Sequence, residues 1–266
     1  MADRGELQRT ELLLGGAALE RLRRCTVLVA GLGGTGGGLA VTLARLGVGR
    51  LIIADPGRFD WPDLNRQWAA DAQSVGRGKA EVYEELLRRV SPALAVESHP
   101  EGVRPENVQE LVEHVDLVCD NLDIAVEMSL RARMLALARE RGIYATSCPI
   151  IGFGAFVAVA SPDGPGMEAF LQRLGQVLTE QRWPEALRRV YTPEHLDRIA
   201  ECLRLRQPVP SLAIATLVSA AACSTEALLI LLRGVLQPWR EPLALPRVLM
   251  IDLFRMSYQV LDVEEL

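Results

Sequence analysis

The chain has 266 residues, 49% of them hydrophobic and 5% aromatic, with a formal net charge of -5. That composition suits a globular protein with a full core, in one large domain or one domain with an insertion, and excludes a disordered chain. No run of basic residues stands out, which excludes a dedicated nucleic-acid surface and a polybasic membrane anchor and leaves nucleic acid only as a substrate.

The opening Met1-Ala2-Asp3-Arg4-Gly5-Glu6 lacks the positive-then-apolar pattern of a signal peptide, so a cytoplasmic address is expected. Leu7 to Arg23 reads as a short helical arm. The apolar run Thr26 to Ala30 then meets Gly31-Leu32-Gly33-Gly34-Thr35-Gly36, which opens an apolar-periodic stretch. Strand, glycine turn and helix in that order let backbone N–H groups approach a phosphate at a helix N-terminus. The next strand, Leu51 to Ala54, ends at Asp55, in the register where a carboxylate accepts both ribose hydroxyls. Helices over Lys79–Val90, Pro105–His114 and Val126–Arg141 alternate with strands over Ala95–Ser98, Asp116–Cys119 and Ile143–Thr146. This alternation predicts an α/β fold with a doubly wound, Rossmann-like, mostly parallel sheet and ligands at the carboxyl ends of its strands.

Beyond Ile151 a longer strand is expected over Gly152–Ala160, then a turn at Ser161–Pro165 and a charged, helical crossover over Gly166–Val209 punctuated by Pro184, Pro193, Pro208 and Pro210. Leu212 to Leu232 approaches the length of a membrane span, but Ser219, Ser224, Thr225 and Glu226 interrupt it and alanines fill it, which suits a core helix. Arg247–Asp252 and Ser257–Val260 read as closing strands. The resulting division is a nucleotide-binding core over residues 1–160, a crossover over 161–210, and a C-terminal helix and strands over 211–266 that complete the same domain. Cys25, Cys119, Cys148, Cys202 and Cys223 are widely spaced, with no CxxC pair, so reduced thiols are expected and no zinc site of the two-pair type. His99, His114 and His195 are scattered and read as surface or packing residues.

Three clusters bear on the nucleotide's identity. Asp63-Leu64-Asn65-Arg66-Gln67 follows the ribose aspartate, Lys79 opens a helix, and Asp120-Asn121 directly follows the strand ending at Cys119. A dinucleotide dehydrogenase has little need for an arginine, a lysine and a further carboxylate beside its glycine turn. Triphosphate chemistry uses cations as pyrophosphate leaves and a carboxylate to hold Mg²⁺ between phosphates. An NAD-dependent oxidoreductase stands as the alternative, supported by the glycine turn and Asp55 alone.

On these residues the sequence resembles the ThiF, MoeB and HesA group, relatives of the ubiquitin-activating enzymes, from about Glu6 to Ala160. The resemblance rests on Gly31 to Gly36, Asp55, Arg66-Gln67, Lys79 and Asp120-Asn121. It implies an adenylyltransferase, in which a carboxylate oxygen attacks the α-phosphorus of ATP to give an acyl adenylate and pyrophosphate. By the same resemblance Arg66 and Lys79 contact the phosphates, Gly31, Gly33, Gly34, Gly36, Asp55, Asn65, Gln67 and Asn121 line the nucleotide, and Asp120 helps bind Mg²⁺. Arg9 resembles an arginine that reaches into a neighbouring subunit's site, which implies a homodimer. The implied substrate is the C-terminus of a ubiquitin-like or sulfur-carrier protein, with a small-molecule, peptide or tRNA-borne carboxylate as runner-up. Arg9 to Gly15 also resembles the tRNA threonylcarbamoyladenosine dehydratase branch. Three departures are visible: Asp63 where the family usually has asparagine, Ala125 where an arginine often follows the Asp-Asn pair, and missing zinc cysteines. The first two admit a third reading, a non-catalytic ATP-binding subunit. Cys202 is the cysteine of the crossover, where some relatives carry a reactive one, and is read as a half-buried apolar thiol.

Overall fold

The computed structural model describes residues 5–123, 128–167, 170–171, 183–205, 207–236 and 240–265. Its strands are β1 Thr26–Ala30, β2 Arg50–Ala54, β3 Ala95–His99, β4 Leu117–Asp120, β5 Tyr144–Ser147, β6 Ile150–Ile151, β7 Gly154–Ala160, β8 Arg247–Asp252 and β9 Ser257–Asp262. They form a sheet in the order β3-β2-β1-β4-β5-β7-β8-β9, with β6 pairing on β7. Pairs from β3 through β5 are parallel, and those from β5 through β9 antiparallel. The doubly wound, mostly parallel sheet and its closing strands are thus as the sequence predicts. Strand order reverses between β1 and β4, so the crevice outside their carboxyl ends is where a ligand belongs.

Helices are α1 Gln8–Leu14, α2 Gly16–Arg23, α3 Gly34–Leu46, α4 Lys79–Val90, α5 Val108–Glu113, α6 Met128–Glu140, α7 Glu185–Val190, α8 Pro193–Arg204 and α9 Ala213–Leu231. Alternation along the buried strands divides the core. Val27, Val29, Leu51 and Ile53 pack toward Leu19, Leu39, Tyr83 and Cys223, while Leu28, Ala30 and Ile52 pack toward Val108, Met134, Phe156 and Tyr191. Helix α9 is long and apolar enough to span a membrane, yet it packs in the first of these layers, as expected of a core helix. Three of its buried polar groups, Thr216, Ser219 and Glu226, find partners inside the protein, while the buried Ser224 hydroxyl has none among the described residues. The Thr216 hydroxyl donates to the Ala213 carbonyl at 2.8 Å, Ser219 donates to the Cys148 carbonyl at 2.6 Å, and Glu226 accepts from Arg240 at 3.2 Å and from the Leu243 N–H at 2.9 Å.

Several expectations are corrected. The arm is two helices, because Gly15 adopts φ +84°, a conformation glycine reaches without penalty, and breaks the run. The strand read over Gly152–Ala160 is present as β7 from Gly154, but Gly152, with φ +57°, belongs to a turn that joins it to a short preceding strand, β6, which the pattern did not suggest. Asp120 does not follow its strand but is the last residue of it, paired in register with Ala30. The helix read from Val126 is described from Met128, and residues 124–127, including Ala125, lie outside the described residues. Part of the crossover likewise lies outside them, and its described part is helical, in α7 and α8.

Cys25, Cys119, Cys148 and Cys223 are buried and Cys202 is half-buried on α8. Burial, with Asp116 nearby, pushes the Cys25 thiol up to about 11, and burial together with its Cys223 neighbour pushes Cys148 up as well. Titration of the folded protein with an aromatic disulfide reagent is expected to register Cys202 alone, to register nothing fast in Cys202→Ser, and to register all five thiols after denaturation. Rapid reaction of a second thiol in the folded state would contradict this packing.

Candidate active site

The glycine turn is built from backbone contacts that side chains would block. Gly31 has φ +89° and donates its N–H to the Ala54 carbonyl at 2.8 Å. A Cβ on Gly31 would lie 2.3 Å from the Asn121 carbonyl oxygen, and one on Gly36 would lie 1.9 Å from the Gly31 oxygen. These two glycines are therefore required for the close approach of β1, α3 and the end of β4. Gly33 differs, since no described atom lies within 4 Å of a Cβ built there. It is the N-cap of α3, and no described side chain caps that helix. The first-turn amides thus have no described side-chain cap, and an uncapped helix N-terminus is an environment that favours an anion.

Asp55, just past β2, accepts the Leu32 N–H at 2.6 Å on one oxygen and the Gly57 N–H at 2.7 Å on the other. It fastens the glycine turn to the second strand and keeps lone pairs for further donors. The Lys79 stem crosses Gly57, its Cδ 3.5 Å from where a Cβ would sit. The Arg66 stem lies against Gly34 in the same way, its Cγ 3.7 Å from the built Cβ, and Thr216 of α9 donates to the Arg66 carbonyl at 3.2 Å. Both cations thus flank the turn.

They meet on Asp63. This residue lies in a 3₁₀ turn, Trp61–Asn65, opened by Pro62 and a reciprocal cap with Asp60. The Asp63 carboxylate is 3.4 Å from an Arg66 guanidinium nitrogen and 3.5 Å from Lys79 Nζ. It also accepts the Asp60 N–H at 3.1 Å and the Gln67 side-chain amide. Arg66 donates further to the Pro62 carbonyl at 2.8 Å and to Asn65 Oδ1 at 2.9 Å, while Asn65 donates to the Ser211 carbonyl at 3.0 Å. Arg66, Lys79, Asn65 and Gln67 are therefore brought together beside Gly34 and Asp55, in the order their sequence positions suggest.

Asp120 stands at the carboxyl end of β4, its side chain fully buried, accepting Arg131 Nε at 2.5 Å and the Leu122 N–H at 3.3 Å. Burial raises its carboxyl above the usual carboxylate range, and the Arg131 guanidinium opposes that rise. Asn121 follows with its N–H on the Ala30 carbonyl at 2.8 Å and its Cβ against the glycine turn. Arg9 is not brought to this cluster. It is exposed on α1, and its near neighbour Leu7 packs against Gly47, just past the far end of α3. A helix of that length separates Gly47 from the glycine turn by about 20 Å.

Three contributors escape a reading by motif. Arg131 lies on the buried stripe Arg131, Met134, Leu135, Ala138 of α6, where a cation on an otherwise apolar helical face is the available signal. Thr216 and Ser219 join the site from a segment that reads only as core. Among the described residues no group of three or more His, Cys, Asp or Glu could hold a metal ion.

A ThiF family model matches residues 7–266. HesA from Nostoc sp. is 39% identical over 106 residues, spanning 40% of this chain and 42% of that protein. The sulfur carrier protein adenylyltransferase of Thermus thermophilus is 34% identical over 110 residues, 41% of each chain. The chain thus aligns with less than half the length of these curated relatives. A crystal structure of E. coli MccB with ATP superposes with a TM-score of 0.74 at 16% identity, covering 98% of this chain and 72% of that one, a likeness of fold. Turn, strand order and whole-length family match agree: this chain belongs to the ThiF family.

Proposed function

We propose that this chain uses ATP to adenylate a carboxylate. The observation that carries the reading is the convergence of Arg66 and Lys79 on one anion beside the uncapped glycine turn. A carboxylate oxygen forms a bond to the α-phosphorus as the α–β bridging bond breaks and pyrophosphate leaves. No enzyme nucleophile is required, so the chain's work is positioning and charge stabilisation. Asp55 orients the ribose, the α3 amides and Gly33 face the phosphates, and Arg66 and Lys79 gather charge as it builds on pyrophosphate. Asp120 fits the pattern of one or two carboxylates that serve Mg²⁺ when the triphosphate provides most of the ligands, with Arg131 holding that carboxylate otherwise. When bound, Mg²⁺ would neutralise phosphate charge.

The favoured substrate is the C-terminus of a ubiquitin-like or sulfur-carrier protein, a reading supported by the name of the Thermus relative. The remote place of Arg9 supports a homodimer in which each α1 serves the partner's site. Free thiols suit a reducing, cytoplasmic setting.

ATP with Mg²⁺ at 100 times its dissociation constant is expected to stabilise the protein by about 2.7 kcal/mol, a shift absent with NAD and greatly reduced in Lys79→Ala. Stabilisation by NAD alone would reverse the assignment. Lys79→Ala is expected to lower carrier-dependent ATP–pyrophosphate exchange by about 10²-fold. Mixing Arg9→Ala with Lys79→Ala subunits should restore about a quarter of wild-type exchange, because half the dimers then hold one intact site; no recovery would exclude a shared site. Arg131→Leu should cost about 3–5 kcal/mol in urea unfolding at neutral pH by stranding a buried carboxylate. Since loss of the guanidinium raises the folded-state pKa of Asp120 further, that deficit should shrink as the pH falls and the carboxyl takes a proton.

A further inference from the structure

Asp63 sits where its charge has a consequence of its own. Its carboxylate is among the few buried acidic groups in the described structure, and both of its oxygens face cations: one lies 3.4 Å from Arg66 and the other 3.5 Å from Lys79 Nζ. The turn holds it there through the Asp60 N–H at 3.1 Å and the Gln67 amide. Lys79 and Arg66 have side chains only 15% and 25% exposed, so their pairing with Asp63 is poorly screened by water. A single anion spanning two such cations holds them in place and cancels part of their charge.

We propose that Asp63 is a built-in competitor for the phosphate site, a positioning residue that keeps Arg66 and Lys79 aimed at the glycine turn while lowering the site's affinity for pyrophosphate and for the triphosphate of ATP. The inference rests on the adenylation reading. With Asp63 charged, an entering phosphate meets a pair of cations carrying one net positive charge among the three groups. Replacing the carboxylate with an amide of the same shape leaves two. The amide keeps an oxygen that can accept the Asp60 N–H, so the turn retains its cap.

The test is isothermal titration of the full chain with inorganic pyrophosphate and, separately, with Mg·ATP, for wild type, Asp63→Asn and Asp63→Asn with Lys79→Ala, at low and high salt. Asp63→Asn is expected to tighten pyrophosphate binding on the order of tenfold, the scale of one partly buried charge interaction. Its salt dependence should steepen, and the gain should vanish in the double variant. In exchange assays, with the carrier substrate present, KM for ATP should fall. A merely structural role would weaken binding or lower the melting temperature and would not tighten an anion. Binding by the wild type with no gain in a folded Asp63→Asn overturns the role of Asp63 and leaves adenylation standing; binding by neither chain overturns both.

Discussion

The approach of three backbone segments at the glycine turn is the constraint on which the remaining geometry depends. Gly31 and Gly36 bring β1, the start of α3 and the end of β4 into contact at distances that any Cβ would forbid. With that contact made, Asp55 can reach both Leu32 and Gly57, and Asp120 can stand level with Ala30 at the mouth of the crevice. The site is therefore a consequence of how tightly a parallel sheet turns into its first helix, with the chemistry-bearing side chains placed around a backbone that admits no side chain of its own.

Charge is the second organising principle. Two carboxylates of the candidate site are drawn into low-dielectric surroundings, and each has a guanidinium: Asp63 has Arg66, with Lys79 beside it, and Asp120 has Arg131. A buried carboxylate without such a partner costs several kcal/mol, so these pairs are conditions for folding as well as for chemistry. The two pairs also differ. The first lies beside the helix terminus where an anion would bind, and the second lies at the carboxyl end of β4, level with Ala30.

Much of this was legible in the sequence, for physical reasons. A strand, a glycine-rich turn and an apolar-periodic helix leave a signature, so β1 and β2 fall within a residue of where the pattern puts them, α3 opens at the glycines as expected, and Asp55 follows β2 in the expected register. The breaks at Gly15 and Gly152 were not read, because a glycine inside a periodic segment signals a bend only when its φ is known. Partners distant in sequence were not legible either. Arg131 lies 11 positions from Asp120 and Lys79 lies 16 from Asp63, and in each pair the partners belong to different elements, so no single helical or strand period relates them. The approach of Thr216 to Arg66 joins residues 150 positions apart and exists only once the sheet has closed.

Helix α9 is anchored at three levels: its first turn holds the Arg66 carbonyl, its middle holds the Cys148 carbonyl through Ser219, and its later turns hold Arg240 and Leu243 through Glu226. It works as a pin along one face of the sheet, within a single core layer. Just before α9, the Ser211 carbonyl takes the Asn65 side-chain amide, so the approach to this helix is tied to the same 3₁₀ turn that holds Arg66. The packing of this helix and the shape of the glycine turn are therefore one problem: a change that shifted the start of α9 would be felt at the Arg66 backbone before it reached any exposed surface.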